Sequence, residues 1–310
     1  MGILLALIAG LFVPLTNLCV RKSVDVCGSA KAFFVFQMAS SFLFTTLFGP
    51  VRNGDFSIPF SSAILGTGAG LILSCMLFSL GKAVEKGPSG ITFAILNSAT
   101  VMPGLLMALI FGASLGFAYN IWHALGSFLV IGGLFWGAKG LQGMKEIKTW
   151  LFFSTSMFIF HLLLLSLYQW RAMLMNLPHP EELFSFFTLE RIQSEWFVPF
   201  MFLSSGIIQV FIYLRSGRKA PQSKEVLFGV LGGGFNFLCT FFLIWATETA
   251  NPLENAIIFP IYSVIGIILT NAWGAKLYQE EVNWRACQLC VFGLIIGTVD
   301  WKAAAAAIVK

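Results

Sequence analysis

Charge is what this chain has least of. Only 11% of its 310 residues are charged, where a soluble globular domain carries roughly 25%. With 57% hydrophobic residues and a mean hydropathy of +0.84, it has too little polar surface to cover a water-soluble body, so the bilayer is its solvent. A net charge of +5 is no nucleic-acid signal in such a chain, because Lys and Arg then report orientation instead. Histidine is scarce as well, with three in all and none in a His-Glu-x-x-His arrangement, which removes the zinc hydrolases. No Asp or Glu falls at the centre of an apolar run; Glu248 and Glu254 sit near run ends. Cys19, Cys27, Cys75, Cys239, Cys287 and Cys290 lie mostly within apolar runs, and Cys287-x-x-Cys290 has no His or acidic partner nearby. They read as packing residues, and neither metal nor cofactor is expected. The first apolar run has no basic stretch before it and no small-residue cleavage site, so a retained helix is expected there.

What is present is length of apolar sequence. A spanning helix needs about 20 mainly apolar residues, and ten such segments are expected, at 2–20, 30–50, 59–81, 88–111, 117–137, 149–170, 195–214, 225–246, 252–274 and 284–302. Polar breaks separate most of them, a tight hairpin is expected at 112–116, and 175–194 is expected to hold a short surface helix. A shift of 164 positions pairs Gly68, Gly70, Cys75, Phe78 and Pro88 with Gly232, Gly234, Cys239, Phe242 and Pro252. The same shift pairs Phe33, Phe36, Ser40 and Ser41 with Phe197, Phe200, Ser204 and Ser205. This predicts an all-α polytopic membrane protein of two five-helix repeats, 1–140 and 149–302, with a short tail at 303–310. An odd number of spans per repeat inverts the second copy, the arrangement of alternating-access transporters. Loops after the odd-numbered helices carry 14 of the 19 Lys and Arg, which places both termini outside the cytoplasm.

Gly81 to Pro88 leading into Asn97 to Pro103, Trp245-Ala246-Thr247 leading into Ala256 to Gly266, and Gly274-Ala275-Lys276 to Glu280-Glu281 leading into Gly293 to Gly297 resemble the drug/metabolite transporter superfamily, in its ten-helix, EamA-like, metabolite-carrying branch. The resemblance covers nearly the whole chain and implies a multi-pass carrier of the inner or plasma membrane. Two departures stand out. Gly112-Ala113-Ser114-Leu115 occupies a place where members often have an acidic residue, and many members are thought to keep both termini in the cytoplasm, against the charge count. The family's small four-helix proton-coupled pumps rely on a central carboxylate, which this chain lacks.

Polar groups within a bilayer are costly and mark candidate sites. Asn17 follows Pro14; Asn97 and Thr100 precede Pro103; His161 lies midway along the sixth segment; Asn236 follows three glycines; Tyr262 and Ser263 follow Pro260. The prolines free backbone carbonyls, tolerable at that depth only against protein or a wet cavity. Asn97 and Tyr262 are expected to face a shared cavity between the repeats, and Trp245 could stack on a ring or cation. Gln37 and Gln209 are weaker candidates, as is Lys82 with Glu85 as a coupling pair. Each amide also has a plainer reading, a bond to a neighbouring helix, and Gly232 to Gly234 read as a close-packing face. Gly87-Pro88-Ser89-Gly90 superficially suggests an intramembrane serine protease, but Ser at a helix start is an ordinary cap. A non-enzymatic secondary or facilitative carrier is expected, moving an amino acid, an amino-acid derivative or a ring-bearing metabolite. Its partners are that solute and the lipid, with no nucleic acid, as monomer or homodimer. A membrane enzyme and a pore are the alternatives.

Overall fold

The computed structural model describes residues 1–27, 29–112, 120–138, 146–176, 194–217, 220–249, 258–279 and 282–298. The hairpin expected at 112–116, the surface helix expected within 175–194 and Glu254 lie largely or wholly outside these residues. The described residues fold as helices: α1 (Gly2–Cys27), α2 (Lys31–Thr46), α3 (Phe60–Lys86), α4 (Ser89–Ser98), α5 (Pro103–Phe111), α6 (Ile121–Ala138), α7 (Ile147–Asn176), α8 (Phe197–Arg215), α9 (Ser223–Thr249), α10 (Ile258–Tyr278) and α11 (Trp284–Thr298). Among them 7 helices are long and apolar enough to cross a membrane, with α4 and α5 together making one of these, and Ile121–Gly133 and Trp284–Gly297 are shorter apolar stretches. The chain is a multi-pass membrane protein.

Several helices outrun their apolar segments because their terminal charges find partners. α3 continues past residue 81 to Lys86: Lys82 pairs with Glu85 at 2.8 Å and Lys86 with Glu146 at 2.9 Å. α7 continues past residue 170 because Arg171 meets Glu248 of α9 at 2.7 Å. α2 instead closes in a wide turn over Leu47–Val51, where Pro50 supplies no donor and Gly49 leaves helical geometry. Ser89 is the first residue inside α4, and Pro88 holds the cap position, with no side-chain cap bond.

Small residues set the closest crossings, as is usual where lipid offers no hydrophobic drive between helices. A side chain on Gly70 of α3 would strike Ser204 and the Met201 carbonyl of α8, and one on Gly233 of α9 would strike Ser40 and the Gln37 carbonyl of α2. Gly126 of α6 packs on Gly293 and Gly297 of α11 in the same manner. The main pairings are α1 with α9 and α10, α2 with α8 and α9, α3 with α7 and α8, α4 with α10 and α7, and α6 with α11. Rows such as Leu4, Leu7, Leu11 and Leu15 on α1, or Ile207, Phe211 and Leu214 on α8, face outward.

The bundle has two unlike ends. At one, Arg21 and Lys22 lie over the Tyr278 ring at 5.1 and 5.3 Å, and the ends of α3 and α7 join through Lys86 and Glu146. At the other, Asn53 donates to Glu195, Trp196 Nε1 donates to the Asp55 carbonyl at 3.2 Å, and Arg171 meets Glu248. Arg21, Lys22, Lys31, Lys82, Lys86, Lys148, Arg215, Lys224, Lys276 and Arg285 fall at the first end; among the described residues only Arg52 and Arg171 fall at the second.

Candidate functional site

Pro103 has no N–H to give the Ala99 carbonyl, so the chain tightens before it. α4 stops at Ser98, a 3-10 turn covers Ala99–Val101, Met102 N–H donates to the Ala99 carbonyl at 3.3 Å, and α5 starts at Pro103. A helix end at mid-depth leaves carbonyls that lipid cannot satisfy. Side chains take them instead. His161 of α7 donates from Nδ1 to the Leu96 carbonyl at 2.7 Å. A carbonyl only accepts, so Nδ1 carries a proton. The Asn97 carbonyl accepts from Thr100 Oγ1 at 2.7 Å and from Ser263 Oγ of α10.

Beside this break lies a cavity with about 100 Å³ open to the centres of water molecules, walled by residues of α1, α2, α3, α4, α7, α8, α9 and α10. At about 10–15 Å³ per water, it admits several waters or a small solute. Asn17, Asn97, His161, Asn236 and Tyr262 all line it. So does Gln37, weighed in the sequence as a weaker candidate. No Asp, Glu, Lys or Arg lines it among the described residues.

Several polar groups of the wall bond to neighbouring helices. Asn17 Nδ2 donates to Thr270 Oγ1 of α10 at 3.3 Å, and Asn236 Nδ2 to Ser41 Oγ of α2 at 3.2 Å, which in turn donates to the Gly233 carbonyl at 3.0 Å. Tyr262 OH meets Cys239 Sγ at 3.5 Å, and Tyr168 OH donates to Met201 Sδ at 3.0 Å. Two side-chain atoms of these wall residues are closed off from solvent without a protein partner: Asn97 Nδ2, a donor packed near Gly266, and Gln37 Oε1, an acceptor. Their residues are 1% and 2% exposed.

The remaining expected site residues lie elsewhere. Thr100 and Ser263 are buried but spend their hydroxyls on the Asn97 carbonyl, outside the cavity wall. Trp245 is 39% exposed and packs at 5.8 Å on Phe241, one turn earlier on the outer face of α9, whereas Asn236, Cys239, Thr240 and Leu243 form its inner face. It therefore faces away from the cavity. Pro14 sits inside an unbroken α1, Pro103 marks the helix break beside the cavity, and Pro260 falls within the first turn of the described α10. Gln209 donates to the Ser74 carbonyl at 3.3 Å and acts as an interhelical bond.

Sequence reasoning missed Arg171. It is 6% exposed, pairs with Glu248 at 2.7 Å, and holds its guanidinium 4.8 Å over the Phe197 ring. Phe197 packs edge-on at 6.2 Å against Tyr168, which lines the cavity. The ion pair thus lies one helical turn beyond the cavity, toward the end poor in Lys and Arg. The available signal was spacing: Arg171 follows the cavity-facing Leu164 and Tyr168 by seven and three residues, so the three share a face.

No protein-family model matches the chain, and no curated protein does. Among solved structures it is similar to one titled only "Crystal structure of protein", with a TM-score of 0.65 over 96% of this chain and 98% of that chain, at 13% sequence identity. At that identity the likeness is one of fold, and it extends over nearly the whole of both chains. The chain is a multi-pass helical membrane protein with a buried cavity beside a broken helix, its wall apolar with a few polar side chains and no charged one among the described residues.

Proposed function

We propose that the protein is a secondary or facilitative carrier that moves a small organic solute by alternating access, with the central cavity as its transport site. The observation that carries this reading is the cavity beside the broken α4–α5 helix, with Asn17, Asn97, His161, Asn236 and Tyr262 in its wall. Broken helices at mid-depth, around a site between two repeats, are the recurring construction of such carriers.

The helix pairings support an inverted repeat within a ten-span chain. Exchanging α1 with α7, α2 with α8, α3 with α9, α4–α5 with α10 and α6 with α11 turns each main pairing into another that is present: α1·α9 into α7·α3, α2·α9 into α8·α3, and α1·α10 into α7·α4. The glycine-on-serine crossings obey the same exchange, Gly70 on Ser204 and Gly233 on Ser40. The serines keep the shift of 164, whereas the glycines depart from it by one residue, since that shift pairs Gly70 with Gly234. Under the positive-inside rule the end rich in Lys and Arg is cytoplasmic, and both termini lie on the other side.

The test is a thermal-shift screen of the purified protein against small polar metabolites, run alongside Asn97→Ala. A solute that binds only the folded state raises the apparent melting temperature. A carrier with this site gives at least one solute that stabilises the native sequence and stabilises Asn97→Ala less. Stabilisation by none, or equally of both, contradicts the assignment.

A further inference from the structure

The wall of the cavity repeats itself. Thr16, Asn17 and Val20 of α1 line it with the same spacing as Leu164, Leu165 and Tyr168 of α7. Leu77 and Leu80 of α3 do so with the same spacing as Thr240 and Leu243 of α9. Val20 and Leu80 lie just before Arg21 and Lys82 at the end rich in basic residues, whereas Tyr168 and Leu243 lie just before Arg171 and Glu248 at the other. The cavity is thus bounded by two equivalent corners: α1–α2–α3 at the basic end and α7–α8–α9 at the end poor in Lys and Arg.

The two corners are closed differently. Three residues beyond Tyr168 stands Arg171, 6% exposed, which meets Glu248 of α9 at 2.7 Å and lies 4.8 Å over the Phe197 ring of α8. One buried side chain therefore ties three helices together. At the basic corner the corresponding positions hold Ser23, Glu85 and Phe33. The acid and the ring are kept: Glu85 follows Leu80 as Glu248 follows Leu243, and Phe33 pairs with Phe197 under the shift of 164. The cation is not. Ser23 is fully buried, and its hydroxyl has no protein partner. Glu85 turns to Lys82 of its own helix at 2.8 Å and Arg21 to Asp25 at 3.0 Å, so no ion pair joins α1 to α3 among the described residues. Lys86 with Glu146 links α3 to α7 at that end, but both side chains are largely in solvent, where an ion pair holds little.

Resting on the carrier reading above, we infer that Arg171, with Glu248 and Phe197, is a latch on one end of the cavity alone, so that the carrier rests with its cavity opening toward the basic end. Opening the latched corner breaks a charge-assisted hydrogen bond and a cation–ring contact. Opening the basic corner parts no such pair between α1 and α3. That difference in free energy sets the populations of the two states.

The experiment reads access through Thr240→Cys, with the six native cysteines replaced, as the rate of labelling by a small impermeant methanethiosulfonate in right-side-out and inside-out vesicles. Ser57→Cys, exposed at the latched end, marks which vesicles present that end. Reaction should be faster from the basic end. Arg171→Glu sets two carboxylates face to face. It should raise reaction through the latched end by about three- to tenfold and lower reaction through the basic end, as a shift in population requires. Glu248→Arg should do the same, and the double exchange of Arg171→Glu with Glu248→Arg should return the ratio toward native. Misfolding raises reaction from both faces and is not mended by a second charge, so these readouts separate it from a released latch. Equal native rates from the two faces, reversals that leave the ratio unchanged, or a double exchange that fails to restore it would overturn the latch and leave alternating access standing. Reaction from one face only in every variant would overturn both.

Discussion

Asn97 and Asn236 are both buried amides of the cavity wall, yet they differ in what they hold. Asn236 Nδ2 is bonded to Ser41 and ties α9 to α2, whereas Asn97 Nδ2 has no protein partner. Asn236→Ala should therefore lower the melting temperature, through a stability loss of roughly 0.6 kcal/mol, typical of an interhelical side-chain bond in a membrane. Asn97→Ala should leave melting close to native and weaken solute binding, by about 0.5–1.5 kcal/mol for the lost bond. Differential scanning fluorimetry and binding on the same preparations separate the two, and a reversed pattern would make Asn97 the structural amide. Arg171 and Glu248 permit a similar contrast. Arg171→Ala leaves Glu248 without its partner and also removes the contact over Phe197, so it should destabilise more than Glu248→Gln, which retains an acceptor for the guanidinium. Glu248→Gln should keep transport, because Glu248 lies outside the cavity wall; loss of proton-driven uptake with counterflow intact would identify it as the coupling group.

At the scale of elements, the sequence was readable where a residue's chemistry conflicts with lipid. Asn17, Asn97, His161 and Asn236 each stand as a polar group amid apolar sequence, and the break of α4 is foreseeable from Pro103 behind Asn97. It was unreadable where apolar residues differ only in facing. α9 carries large apolar residues on its exposed side, including Leu227, Leu231, Phe241 and Trp245, so nothing in the pattern tells that Trp245 points outward. Likewise a small shift in register between the two copies is invisible in glycine-rich apolar sequence. That shift has a consequence: Gly70→Val and Gly233→Val should both destabilise strongly, since each places a side chain against a serine and a carbonyl of the facing helix. Gly234→Val should be mild, because the nearest atom to a new Cβ is Phe44 at 3.6 Å, an ordinary contact. Equal damage from Gly234→Val and Gly233→Val would argue against the Gly70–Gly233 equivalence.

For the whole molecule, orientation and access are the properties that matter. With the six native cysteines replaced, Ser57→Cys at the end poor in basic residues should react with an impermeant thiol reagent added outside intact cells, and Ser223→Cys at the basic end should not; the reverse would show that the distribution of Lys and Arg misleads here. Access to the cavity tests the carrier itself. Thr240 lines the cavity from the inner face of α9, so Thr240→Cys in the same background reports when that space is open. The decisive measurement is labelling of Thr240→Cys by a small impermeant methanethiosulfonate in right-side-out and in inside-out vesicles. Alternating access predicts reaction from both faces, slowed in each case by a bound solute, in vesicles that remain tight to ions. Reaction from one face only, or from neither, would contradict it.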